Sequence, residues 1–134
     1  MGPRAGATHG NHGRTATDHV QSCIDACLRS QRESIMTLTY LRDMGGAHID
    51  PIRIRSLLDC ADVCQVAATF MMRGSHRHVE MCAVAARICR DCADACDGTN
   101  DQHLRKLVEA CRTCEAVCRE LINAQPERSP AQAA

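Results

Sequence analysis

Aromatic side chains are almost missing from this sequence. Its 134 residues include no Trp, one Phe (Phe70) and one Tyr (Tyr40), so neither a stacking platform for nucleobases nor an aromatic-walled pocket for a flat cofactor can be assembled. Net charge is missing too. Sixteen Lys and Arg offset 16 Asp and Glu, and the basic footprint that marks a nucleic-acid partner is absent. No run approaches about 18 consecutive apolar residues, which excludes a membrane-spanning helix. The first residues, MGPRAGATHGNHGRTAT, hold no apolar stretch ahead of a small-residue cleavage site and carry no export signal. The expectation is a single domain in the cytoplasm with neither nucleic acid nor membrane as partner.

What the chain does have is 11 Cys. In a reducing compartment such a pattern points to metal binding or catalysis rather than to a disulfide framework, and an odd count cannot pair fully within one chain.

Glycines and prolines fall between periodic segments, which divides the chain cleanly. A Gly/His/Thr-rich tail, 1–17, contains His9 and His12. Helices are predicted over about 18–44, with Asp18 as N-cap and Gly45-Gly46 as stop; 51–73, behind Asp50 and Pro51; 76–97, capped by Ser75 and ended by Gly98; and 100–124, capped by Thr99 and stopped before Pro126. A polar tail, 125–134, follows. Four helices of similar length with short connections predict an all-α, antiparallel up-down-up-down four-helix bundle over 18–124.

Every helix carries cysteines: Cys23 and Cys27; Cys60 and Cys64; Cys82, Cys89, Cys92 and Cys96; Cys111, Cys114 and Cys118. Within each helix the intervals are three, four or seven, so the thiols share one face. On the first helix that face also holds Val20, Ile24, Leu38 and Leu41, and on the fourth Leu104, Leu107 and Leu121, which is the face a bundle buries. The thiols therefore line the core. A single buried Cys is a small hydrophobe. Eleven of them beside Ala61, Ala67, Ala68 and Ala85 would leave a core poor in large side chains, so packing alone does not account for them.

Zinc would take four converging ligands, and C-x₂-C pairs occur at Cys89/Cys92 and Cys111/Cys114, but one or two zinc ions would use only some of the thiols. A continuous thiolate lining suits Cu(I), a soft ion content with two or three sulfurs. Cβ atoms at i and i+4 are about 5–6 Å apart, and two metal–sulfur bonds of about 2.3 Å span that gap, so a C-x₃-C pair can grip one ion. Each thiolate contributes −1 and each cuprous ion +1. A filled core therefore approaches neutrality, where unpaired buried charge would be prohibitive.

The C-x₃-C pairs of the first two helices, the C-x₆-C-x₂-C-x₃-C run from Cys82 to Cys96 and the C-x₂-C-x₃-C run Cys111, Cys114, Cys118 resemble the cytosolic four-helix-bundle copper storage proteins over residues 18–124. The resemblance implies storage of many Cu(I) ions per chain, no catalysis and a homotetramer. Members of that family often carry more cysteines, and Ser30 and Ser34 stand near where further thiols would fall. About one ion per thiolate gives on the order of ten.

His and Met at a bundle mouth would pass ions inward from a donor such as a copper chaperone. At one end His78 lies on the stripe of Cys82 and Met71 on that of Cys60 and Cys64, with Met81 and His19 nearby. At the other end His103 is placed facing Cys96, while His76 points away. Two rivals remain. Zinc or iron–sulfur binding would stop at a few ions. A copper-responsive regulator would show a basic face, whereas Arg29, Arg32, Arg87, Arg90, Arg105, Arg112 and Arg119 are interspersed with Glu33, Asp91, Asp94, Glu109 and Glu115. No Glu-x-x-His motif supports a di-iron enzyme, and the mid-helix Cys89/Cys92 pair does not suit a redox enzyme. A second apolar edge, Ile52, Val63, Val66 and Phe70 with Met36 and Tyr40, predicts the oligomer interface.

Overall fold

The computed structural model describes residues 15–125. The tail positions 1–14 and 126–134, with His9, His12 and Pro126, lie outside the described residues. Four helices make up the fold: α1 Ala16–Met44, α2 Pro51–Met72, α3 His78–Cys96 and α4 Gln102–Asn123, with a 3₁₀ turn Gly46–His48 between α1 and α2. No strand occurs among the described residues. Each helix packs against its sequence neighbours, and α1 also packs against α4. That closes an antiparallel up-down-up-down four-helix bundle.

The local signals show why these segments stop and start where they do. Asp50 accepts a hydrogen bond from the Ile52 amide at 3.0 Å ahead of Pro51, leaving the proline where its missing N–H costs nothing. Gly45 takes φ +66° and returns its amide to the Leu41 carbonyl, a conformation a side chain would strain. Three caps differ from expectation. α1 starts behind Thr15, whose Oγ1 accepts from the Asp18 amide while Asp18 accepts from the Thr15 amide; Asp18 is the reciprocal partner in a capping box, and Ala16 and Thr17 are helical. Ser75 accepts from the Arg77 amide at 3.1 Å, but α3 begins only at His78. Asp101, not Thr99, caps α4, accepting from the amides of His103 and Leu104. Its carboxylate suits the positive helix terminus better than a hydroxyl, and Thr99 instead receives the Asp101 amide.

The core contains all 11 cysteines, each free and buried. Ala67, Ala68, Ala85, Ala86 and Ala93 bring the backbones close around them, and Leu41, Leu57, Leu104, Leu107 and Leu121 supply the bulk. The second apolar edge of α2 is only partly free. Ile52, Val66 and Met36 are exposed, whereas Val63 and Tyr40 pack against the core and Phe70, half-buried, carries the Arg73 guanidinium 4.4 Å above its ring. Tyr40 leaves the edge because its hydroxyl donates to Asp101 and its ring stacks on His103.

Candidate metal centre

Because α1 and α3 run one way and α2 and α4 the other, the four thiol stripes meet on the bundle axis. Their sulfurs fall into four groups of three whose Sγ atoms lie within 4.8 Å of one another: Cys23, Cys82 and Cys118; Cys27, Cys64 and Cys114; Cys60, Cys64 and Cys89; Cys60, Cys92 and Cys111. Individual separations include 3.7 Å for Cys23 to Cys82, 3.6 Å for Cys27 to Cys114, 3.5 Å for Cys64 to Cys89 and 3.7 Å for Cys60 to Cys111. Three sulfurs held about 2.3 Å from one ion in a plane stand about 4 Å apart, so these spacings match a trigonal thiolate site before any ion arrives. Cys96 joins none of the groups. It lies one turn beyond Cys92, next to Arg53, whose Nε donates to the Ala95 carbonyl at 3.4 Å.

The electrostatics repeat from group to group. The neighbouring Cys118 thiol holds Cys23 and Cys114 well below the usual thiol range, and the Cys111 thiol does the same for Cys60. Their neighbours are pushed the other way: Cys114 raises Cys27 and Cys64, and Cys60 raises Cys111. At Cys82 the pull of Cys118 is outweighed by Cys23 and burial, and the pKa is pushed up to about 12. The thiols of the column thus polarise one another, some held low by a neighbouring S–H and others held high by a neighbour and by burial.

At one end the thiol column continues outward through soft ligands. Cys82 Sγ donates to Met71 Sδ at 3.5 Å. Met71, only 4% exposed, lines a cavity of about 180 Å³ with Val20, Ser75, His76 and His78. The Nδ1 of His78 lies 2.7 Å from the Ser75 carbonyl; a carbonyl can only accept, so Nδ1 carries the proton and the Nε2 lone pair is free. Met81, three residues beyond His78, is half-buried against the core, His19 is half-buried beside Val20 on α1, and His76 is exposed. His103, expected to face Cys96, does not: it stacks on Tyr40 of α1 at 3.8 Å between ring centroids, with Asp101 3.8 Å from its Nδ1. The packing of α1 beside the start of α4 turns the imidazole outward, leaving it 56% exposed.

Two polar features mark the interior, and the burial of Glu33, which the sequence places on a solvated charged face, is a correction. Glu33 is buried on α1, with Lys106 reaching it at 3.9 Å, and Ser30, Ser34 and Thr37 continue the α1 thiol stripe as buried hydroxyls. Their spacing from Cys27 by threes and fours is the signal that finds them.

A four-helix bundle whose axis is a column of sulfurs, with no imidazole or carboxylate in any group, defines a class of protein built to surround soft metal ions. The comparisons name the family. The copper storage protein family profile matches residues 8–123, and the chain belongs to that family. It is 30% identical over 101 residues to the cysteine-rich protein YhjQ of Bacillus subtilis, covering 75% of this chain and 94% of that one. The Cu(I)-bound copper storage protein BsCsp3 is similar with TM-score 0.75 and 29% identity, covering 78% of this chain and 98% of its own. A cytosolic copper storage protein from Streptomyces lividans, seen with five coppers during loading, gives 0.74 and 26%, covering 83% and 98%.

Proposed function

We propose that this chain is a cytosolic store that takes many Cu(I) ions onto the thiolates of Cys23, Cys27, Cys60, Cys64, Cys82, Cys89, Cys92, Cys96, Cys111, Cys114 and Cys118, without catalysing a reaction. One observation carries the reading: three of the four trigonal groups overlap through Cys60 and Cys64, and Cys118 lies within 4.0 Å of Cys27 and Cys114 to bring in the fourth, so the sulfurs run on as one column rather than as separate four-ligand sites. Structural zinc wants closed tetrahedra, whereas overlapping three-sulfur groups suit a soft ion with low coordination number. Each arriving ion displaces protons from the raised thiols and restores neutrality.

Ions enter at the mouth of His78 and Met71, with Met81 and His19 at its rim, delivered by a copper-carrying protein. The relay from the His78 cavity through Met71 to Cys82 supports this side. The opposite end supports it as well, since the buried Leu41, Leu57, Leu104 and Leu107 occupy it; His103 is there an outer ligand at most. The exposed Met36, Ile52 and Val66 supply a face for assembly into a homotetramer.

The test is an anaerobic Cu(I) titration of the reduced protein against a competing chelator. About ten tightly held ions per chain are expected, lost when the cysteines are replaced. One or two ions, with equal appetite for zinc, would overturn the reading.

A further inference from the structure

The inner stripe of α1 runs Cys23, Cys27, Ser30, Ser34, Thr37, Leu41, and every member is buried. Halfway along, sulfur gives way to oxygen. The two serines differ in one respect. Ser30 Oγ donates to the Ala110 carbonyl at 3.1 Å, while Ser34 Oγ is the one buried side-chain nitrogen or oxygen without a hydrogen-bond partner among the described residues. A helical serine normally returns its hydroxyl to the carbonyl one turn back, and a buried donor left unmade is costly enough to need a reason.

The register shows what Ser34 faces. Across the axis Cys23 meets Cys82 of α3, and α3 runs parallel to α1, so each step along one matches a step along the other. Ser30 then stands level with Cys89, and Ser34 level with Ala93, between Cys92 and Cys96. The α4 contacts of Cys27 with Cys114 and Ser30 with Ala110 bring Leu107 to the same level, and the shared group of Cys27 and Cys64 brings Leu57. Leucine and alanine side chains accept nothing. Of the side chains that this register brings across the axis, Cys92 and Cys96 alone offer an acceptor, and a thiol sulfur accepts weakly whereas a thiolate accepts strongly.

We propose that Ser34 is a positioning residue for copper held by Cys92 and Cys96, its hydroxyl donating a hydrogen bond to a thiolate of that pair once the ion has displaced the thiol protons. The inference rests on the Cu(I) reading above. The empty bundle carries an idle donor, and the loaded one uses it. Donors to metal-bound sulfur orient the ligand and tune the site's affinity, so α1, which brings no thiol to this level, acts on the metal through a hydroxyl.

The experiment compares wild type, Ser34→Ala and Ser34→Thr in two measurements: thermal unfolding of the reduced metal-free protein, and chelator competition over the full Cu(I) titration. Ser34→Ala should leave the metal-free Tm unchanged or raised, because it deletes an unpartnered hydroxyl, while one class of ions is released about tenfold more readily. Ser34→Thr, which keeps the hydroxyl, should hold copper as wild type does. In a Cys92→Ser/Cys96→Ser background, Ser34→Ala should no longer change copper release. Unchanged copper affinity in Ser34→Ala overturns the proposal, as does a lowered metal-free Tm, which would show that the hydroxyl is already satisfied in the empty protein. A wild-type chain holding only one or two ions overturns the storage reading, and the inference falls with it; ten ions with an inert Ser34 overturns the inference alone.

Discussion

Cys60 and Cys64 stand on successive turns of α2 with their Sγ atoms 4.0 Å apart, and each belongs to two of the three-sulfur groups. α2 supplies only these two thiols, yet they join three of the four groups, and Cys118, 3.9 Å from Cys27 and 4.0 Å from Cys114, brings in the fourth. Removing a shared sulfur should therefore cost more than removing a terminal one. Cys60→Ser is expected to lose about two Cu(I) ions and Cys23→Ser about one, since a serine oxygen is too hard to replace the sulfur. Stoichiometry from anaerobic titration decides; equal losses would show that the groups fill independently.

The raised thiols set a pH dependence. Cys82 moves from an ordinary 9.0 up to about 12, so the fold holds that proton more tightly than the unfolded chain does. Its contribution to stability is present below pH 9 and is lost as pH rises toward 12. Metal-free protein should lose Tm across that window, and copper-loaded protein, whose thiols are already deprotonated, should not. Copper affinity should rise with pH through neutrality because binding releases protons. Differential scanning fluorimetry and chelator competition at several pH values measure both slopes.

Access is testable separately from capacity. His78→Ala with Met71→Leu should slow copper loading by about an order of magnitude while leaving the final count intact, because both residues serve the passage and Leu preserves the volume. His103→Ala should change neither. Stopped-flow absorbance in the ultraviolet, where thiolate–copper charge transfer appears, gives the rates; slowing by His103→Ala alone would move the mouth to the other end.

Assembly is expected to depend on the exposed positions of α2 and not on those that turned inward. Ile52→Glu with Val66→Glu should convert the proposed tetramer to monomers that keep their copper. Val63→Glu should instead destabilise the fold by about 2 kcal/mol, because Val63 packs on the core. Light scattering and thermal unfolding separate the two effects.

The bundle and its sulfur lining were legible because intervals of three, four and seven leave a helix few ways to distribute its thiols. Local competition was harder to read. Thr15 and Asp18, or Thr99 and Asp101, are all good caps, and the choice is made by which side chain reaches the free amides. His103 was misplaced because a helical wheel gives an angle but no neighbour; the flat ring of Tyr40 comes from another helix. Glu33 was invisible as an interior group for the same reason, since its partner Lys106 lies far along the chain.

None of the eleven cysteines has any accessible surface. A peroxide molecule or an oxidised glutathione meeting the empty protein therefore finds no sulfur to attack until a helix parts from its neighbours, and damage is throttled by the rarity of that opening. On the proposed route a cuprous ion would instead be handed from His78 and Met71 to Cys82, ligand to ligand, rather than waiting for such an opening. A bundle loaded by that route would admit visitors by their softness, so the chain could stand empty between episodes of excess metal and still be serviceable when the next one comes.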